Sequence, residues 1–329
     1  MTTSDKDKSY MAQKASALIP EQAPLEAVRN RGTLRLLLSS MRPHQWVKNL
    51  FVLAPLLFGK KLGDLHAVTQ ALLACASFCL MSSSIYIFND VVDASEDRAH
   101  PQKRLRPIPS GALPVWVALT GSGVLLALAI TLAATIDLRF LLLSGVYGAS
   151  MIGYCLALKR AIVLDTMTIA FGFVLRVVGG AVAVQVKPTH WLIVCAFLLA
   201  LFLAFAKRRQ ELITLSNSAV QHRQVLGKYT IGYLEQVNTI LIGATVVCYA
   251  LYTVAPDTIA RFETENLIYG TIFVIYGLLR YMALIQDPVN GGDPSKMLLK
   301  DKPLLIAIAG WIVYNLLVVY HPLFRSLWE

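Results

Sequence analysis

The chain has 329 residues, 56% of them hydrophobic and 15% charged, with a mean hydropathy of +0.58. Soluble domains carry about a quarter charged and about 45–50% apolar residues, so a water-soluble, disordered or fibrous chain is excluded and a polytopic membrane protein of the all-α class is expected. The formal charge of +10 points to anionic lipid or phosphorylated substrates, since no basic domain interleaved with aromatics suggests nucleic acid.

Residues 1 to about 30 are polar and aperiodic and read as a cytoplasmic tail without the pattern of a signal peptide. Residues 31–41 mix Arg31 and Arg35 with leucines, as a short interfacial helix does, so residues 1–40 stand apart from a membrane domain over 41–329. Nine segments then supply spanning helices, at about 44–59, 65–88, 114–135, 139–157, 162–185, 190–206, 235–255, 266–285 and 303–321. The first is short in apolar residues, contains Pro55, and has Lys48 and Asn49 near its start, which suits an end facing a wet cavity. In this nine-helix plan 23 of the 30 Lys and Arg residues fall on one side and six on the other. That asymmetry puts the N-terminus and the long polar loops in the cytoplasm of a bacterial-type inner membrane. Cys75, Cys79, Cys155, Cys195 and Cys248 lie in apolar runs without metal-ligand spacing and read as packing residues.

The second segment runs into Asn89-Asp90-Val-Val-Asp93-Ala-Ser-Glu96-Asp97-Arg98 and then Lys103-Arg104 and Arg106-Pro107. On a continued helix Asn89, Asp90, Asp93 and Asp97 fall within an arc of about 100°. Carboxylates so placed repel one another unless a cation joins them, and Mg²⁺ shares its coordination readily among carboxylates, water and a diphosphate. The spacing therefore predicts a Mg²⁺-diphosphate site, with the basic residues just downstream, Lys103, Arg104 and Arg106 among them, as further phosphate contacts. The plainer alternative is a solvated charged loop.

Tyr154 and Lys159 close the fourth segment, where a lysine also serves as a dipole partner. Arg176 lies inside the fifth, where a charge costs about 2.5–3.5 kcal/mol, and is expected to face a cavity, an anion or an acid. Asp165 reads equally as a first-turn residue or a cavity acid. The sixth segment ends in Lys207-Arg208-Arg209-Gln210-Glu211, either a helix-surface pair of Lys207 with Glu211 or a phosphate clamp opposite the acidic run. Arg280 and the loop from Gly291 to Pro303 close the same side without an informative spacing.

These blocks resemble the UbiA superfamily of intramembrane prenyltransferases. The resemblance rests on NDVVDASED, the YxxxxK element and the nine-helix plan. More narrowly, MRPHQWVKNLFVLAPLLFG, SSSIYIFNDVVDASEDRAHPQKRLRPIPSG, GFVLRVVGGAVA, AFAKRRQEL and LLKDKPL resemble its decaprenyl-phosphate phosphoribosyltransferase branch, over residues 41 to about 305. The resemblance implies a helical bundle with a cytoplasm-facing cavity lined by Lys48 and Asn49. It implies Mg²⁺ held by Asp90, Asp93 and Asp97 with Asn89 adjacent, and transfer of 5-phosphoribosyl from phosphoribosyl diphosphate to a polyprenyl phosphate. It leaves homo-oligomer formation open. Prenyl-transferring members carry a second acidic DxxxD run after the sixth helix, and this chain has KRRQE there, with Glu211 the only acid.

The expected roles follow. Asp90, Asp93 and Asp97 hold the metal; Lys48, Lys103 and Arg104 contact the donor phosphates; Lys207, Arg208 and Arg176 contact the lipid phosphate or the sugar phosphate. Two rival readings stand beside this one: a prenyltransferase with an aromatic or isoprenoid acceptor, and a carrier of phosphorylated anions with Arg176 in its path.

Overall fold

Lipid offers backbone N–H and C=O groups no partner but each other, so runs of about twenty apolar residues become helices. The computed structural model describes residues 28, 31–100, 102–215, 224–286 and 300–320, and among these all regular structure is helical. Eight helices are long and apolar enough to cross a bilayer, making this a multi-pass membrane protein.

In chain order the helices are α1 (Thr33–Ser40), a 3-10 segment (Pro43–Leu53), α2 (Ala54–Phe58), α3 (Leu65–Val92) and α4 (Ala94–Ala99). Then come α5 (Val115–Ala134), α6 (Leu138–Leu156), α7 (Leu164–Ala183) and α8 (His190–Leu215). The chain closes with α9 (Ile231–Val254), α10 (Pro256–Phe262), α11 (Thr271–Gln286, extended by the 3-10 turn Asn266–Gly270) and α12 (Lys302–Val319). Starts follow capping chemistry: Asp64, Asp137, Thr230 and Asp301 each accept a backbone N–H of the first turn.

The expected segment at 44–59 is not a regular α-helix. Arg42 adopts a left-handed φ of 54°, Pro43 opens an 11-residue 3-10 run, and a five-residue α-helix follows. Pro55 gives part of the reason. It has no N–H to offer the Phe51 carbonyl, which accepts instead from Ala54 three residues on. At about 2.0 Å and 1.5 Å per residue the two pieces together reach about 30 Å, so length does not separate them from a span.

α3 and α7 are the centre of the bundle, with 56% and 61% of their most apolar stretch buried against 22–33% for the other six. Their small residues permit this. Ser84 and Ser122 each donate to the other's carbonyl across α3 and α5, at 2.9 and 3.0 Å. Gly180 of α7 receives the 3-10 segment so closely that a Cβ there would lie 2.0 Å from the Val52 carbonyl oxygen. Phe78, Phe140 and Tyr147 pack edge-on between α3 and α6. A second core of Phe202, Leu234, Leu241 and Tyr281 joins α8, α9 and α11.

Two helices outrun their apolar segments. α3 continues to Val92 and its 28 residues span about 42 Å, more than the roughly 30 Å of hydrocarbon, which carries Asn89 and Asp90 to the boundary of the bilayer. α8 continues to Leu215, so the KRRQE run is helical. Lys, Arg, Gln and Glu are good helix formers, and loss of hydropathy does not end a helix. All five cysteines are free. Apart from Val28, the predicted tail over residues 1–30 lies outside the described residues, as does the loop containing Gly291 and Pro294.

Candidate active site

α3 breaks at Asp93, whose backbone (φ −92°, ψ 6°) leaves the helical region, and α4 resumes directly after it. Bonds from Asp93 N–H to the Asn89 carbonyl (2.9 Å) and from Asp97 N–H to the Asp93 carbonyl (2.8 Å) carry the helical rotation across the break. Asp90 and Asp97 are buried and Asp93 is half-buried.

Every one of the three carboxylates meets a cation. Asp90 pairs with Arg42 and with Arg106, whose Nη1 is 3.1 Å from it. The same nitrogen is 2.6 Å from Asp97, which also meets Lys103 Nζ at 3.6 Å. Asp93 pairs with Lys159, delivered from the short 3-10 turn Leu158–Arg160 after α6. Four cations thus face three acids. Among the described residues no group of three His, Cys, Asp or Glu side chains is close enough to hold a metal ion. Arg106 Nη1 contacts both Asp90 and Asp97, so these two carboxylates, though not all three, are placed to share one cationic group.

Arg106 is one of the basic residues downstream of the acidic run from which phosphate contacts are expected, whereas Arg42 carries no such expectation, its contact with Asp90 spanning 48 residues. The available signal was the repeated Arg-Pro dipeptide, Arg42-Pro43 and Arg106-Pro107. Arg106 is extended (φ −66°, ψ 152°), as a residue before proline should be. Arg42 instead sits at φ 54°, ψ 61°, and its guanidinium lies over the Tyr86 ring at 5.1 Å. A non-glycine residue held there marks a site over-determined by its surroundings.

The other expected residues separate by depth. Lys48 is half-buried on the 3-10 segment, Asn89 and Arg104 are half-buried near the acids, and Tyr154 packs partly buried against the α3–α6 core. Asn49 lies deeper. Its amide nitrogen donates to Cys79 (3.2 Å) and Ser82 (3.3 Å), about 12 Å below Asp90 along α3 by helical rise. Arg176 is with it, and among the described residues its partners do not include an acid. Arg176 is buried and donates from Nε to Asn49 Oδ1 (2.7 Å), from Nη1 to the Gly172 carbonyl (2.9 Å) and from Nη2 to the Tyr147 hydroxyl (2.7 Å). Tyr147 and Phe173 cover it at 4.6 and 5.2 Å. Among the described residues these partners are all neutral, and ring faces and dipoles do what a carboxylate would.

The basic run after the sixth expected segment is likewise occupied. Lys207 and Glu211 stand 4.0 Å apart as a partly exposed i,i+4 pair. Arg208 is 1% exposed, with Nη1 2.5 Å from Glu211 and Nε 3.4 Å from Asp165. Arg209 reaches Glu235 at 2.6 Å and the Ile285 carbonyl at 2.8 Å. Asp165 lies in the first turn of α7 and is fully buried, where it accepts from the Tyr229 hydroxyl at 2.8 Å. Burial, and after it the bond to Asp165, push the Tyr229 hydroxyl above its ordinary value and keep it a neutral donor.

The sequence profile of the UbiA prenyltransferase family matches residues 50–306. Over 291 residues the chain is 34% identical to the decaprenyl-phosphate phosphoribosyltransferase of Corynebacterium glutamicum, covering 86% of each. It is 32% identical over 286 residues to the enzyme of the same name from Mycolicibacterium smegmatis, covering 84% of this chain and 90% of that one. In fold it is similar to a UbiA homolog from Archaeoglobus fulgidus bound to GPP and Mg²⁺, with a TM-score of 0.66, 20% identity and coverage of 86% of this chain and 99% of the other. With a family profile matching across most of its length and relatives of this identity over most of both chains, the protein belongs to the UbiA prenyltransferase family.

Proposed function

We propose that the protein is a phosphoribosyltransferase that moves 5-phosphoribosyl from phosphoribosyl diphosphate to a polyprenyl phosphate such as decaprenyl phosphate, releasing diphosphate. The relatives carrying that activity in their names support the reaction. The observation in this chain that carries it is the ring of cations around Asp90, Asp93 and Asp97, four against three. A surplus of fixed positive charge suits a polyanionic donor more than a bare metal ion.

Asp90, Asp93 and Asp97 would hold Mg²⁺, which supplies charge stabilisation to the departing diphosphate. The UbiA homolog bound to Mg²⁺ supports a divalent ion in this fold. Arg42, Lys103, Arg106 and Lys159, now on the carboxylates, would exchange them for phosphate oxygens, with Arg104 and Lys48 as further candidates. The acceptor is already an anion, so no strong general base is required of the chain. Lys207, the most exposed of the basic run, is the candidate for the lipid phosphate. Arg208 pairs with both Glu211 and Asp165, Glu211 with both Arg208 and Lys207, and Asn49 and Arg176 hold the 3-10 segment.

The bundle, in this reading, has the 3-10 and α2 segment as a ninth crossing and residues 41–329 as one catalytic unit, with residues 1–40 a cytoplasmic appendage. The positive-inside asymmetry supports placing the acidic site at the cytoplasmic face of the plasma membrane. Labelled phosphoribosyl diphosphate incubated with protein, Mg²⁺ and polyprenyl phosphate tests the reading: label enters the lipid extract only with metal present. Label that stays in the aqueous phase across several lipid lengths overturns it.

A further inference from the structure

The turn that delivers Lys159 is strained. Leu164 N–H donates to the Ile162 carbonyl at 2.8 Å across Val163, whose φ of 66° and ψ of −45° form a γ-turn of the rare, disfavoured hand. Val163 is β-branched, the residue type least suited to that region. Such a backbone persists only when its surroundings over-determine it.

The restraint is a buried polar chain. Val163 N–H donates to the Tyr229 hydroxyl at 2.8 Å, and that hydroxyl donates to Asp165 at 2.8 Å. The other oxygen of Asp165 faces Arg208 at 3.4 Å. Asp165, Arg208 and Tyr229 are 0%, 1% and 4% exposed. The backbone from Ala157 to Asp165 is then closed by its own bonds, at 3.1 Å from Arg160 to Ala157, 3.1 Å from Ala161 to Leu158 and 3.0 Å from Asp165 to Ala161. Lys159 rides on this stretch and meets Asp93.

We infer that Tyr229, Asp165 and Arg208 form a latch that holds the α6–α7 turn in its strained shape and thereby sets Lys159 against Asp93. They are positioning residues. The latch ties the basic run of α8 to the acidic run of α3 without Arg208 touching substrate.

Carbodiimide joins a lysine to a carboxylate in contact with it, so the protein itself reports the Lys159–Asp93 pairing as an isopeptide found by mass spectrometry. Lys103 and Asp97, at 3.6 Å, provide an internal control. In Tyr229→Phe, which removes only the hydroxyl, the 93–159 link is expected to fall about fivefold or more while the 97–103 link holds, since residues in one network couple and distant pairs do not. An unchanged 93–159 yield overturns the latch. So does loss of both links, which signals a general collapse.

The kinetic arm rests on the reaction proposed above. Tyr229→Phe is expected to raise the KM for phosphoribosyl diphosphate about tenfold, with kcat and the acceptor KM within about twofold, and to add nothing in a Lys159→Ala background. Additive losses in the double variant contradict action through Lys159. Absence of phosphoribosyl transfer by the unmodified protein refutes the reaction alone, because the cross-link stands without substrate.

Discussion

Asp90 and Asp97, two helical turns apart on either side of the break at Asp93, share one guanidinium nitrogen, Arg106 Nη1, at 3.1 and 2.6 Å. Arg42, Lys103 and Lys159 complete the ring, leaving four cations against three acids. In the proposed reading these cations exchange for a metal and a diphosphate, and the net positive charge favours the metal arriving with its anion.

Asp97→Asn keeps the shape of the side chain and removes its charge, so the fold should persist in detergent. Turnover is expected to fall about 100-fold or more, with a higher Mg²⁺ requirement. A metal titration of activity beside a thermal melt checks this, and a near-normal titration removes Asp97 from the site.

The eight long spans were legible in the sequence because a run of about twenty apolar residues has few outcomes in lipid. Residues 43–58 were not, since a 3-10 segment and an α-helix draw on the same composition, and only the Pro55 gap and the fit of Val52 on Gly180 separate them. Helical spacing made the nearness of Asp90 and Asp97 to one cation legible, but the break at Asp93 and its separate pairing with Lys159 were not. Arg42, Tyr229 and the neutral partners of Arg176 were not, because each is defined by a contact from a distant segment.

Arg176 depends on Asn49 for its Nε partner and on nothing charged among the described residues. Asn49→Ala should therefore act on stability, at about 1–3 kcal/mol for the donor left unsatisfied. Thermal unfolding in detergent reads the loss, while the KM for phosphoribosyl diphosphate in the surviving folded fraction should move little. A large KM change with unaltered stability would restore Arg176 and Asn49 to the substrate.

Gly180 has the backbone of Val52 where its Cβ would be. Gly180→Ala must push the 3-10 segment outward and is expected to cost at least about 1–3 kcal/mol of overpacking. Gly123 has nothing within 4 Å of a built Cβ, so Gly123→Ala is expected to be neutral or slightly stabilising within its helix. Equal melting temperatures for the two variants would contradict the close approach.

Arg280 donates to both oxygens of Asp301, at 3.2 and 2.8 Å, and these bonds hold the carboxyl below its ordinary value. Asp301 also caps α12 through Leu304 N–H at 2.9 Å. A depressed carboxyl contributes stability that is present above its unfolded value, near pH 4, and is lost as pH falls through its folded value. Asp301→Asn should thus melt lower than the parent at pH 7, and the gap should close in acid. A gap that persists at pH 2 would assign the effect to the cap geometry instead.

The donor is the centre of the account, and a paired assay on one preparation addresses it directly: diphosphate released from phosphoribosyl diphosphate and from a prenyl diphosphate, each with Mg²⁺ and polyprenyl phosphate. The account predicts release from the phosphoribosyl donor, dependent on Asp93, and none above background from the prenyl donor. Release from the prenyl donor alone would contradict it and make the protein a prenyltransferase.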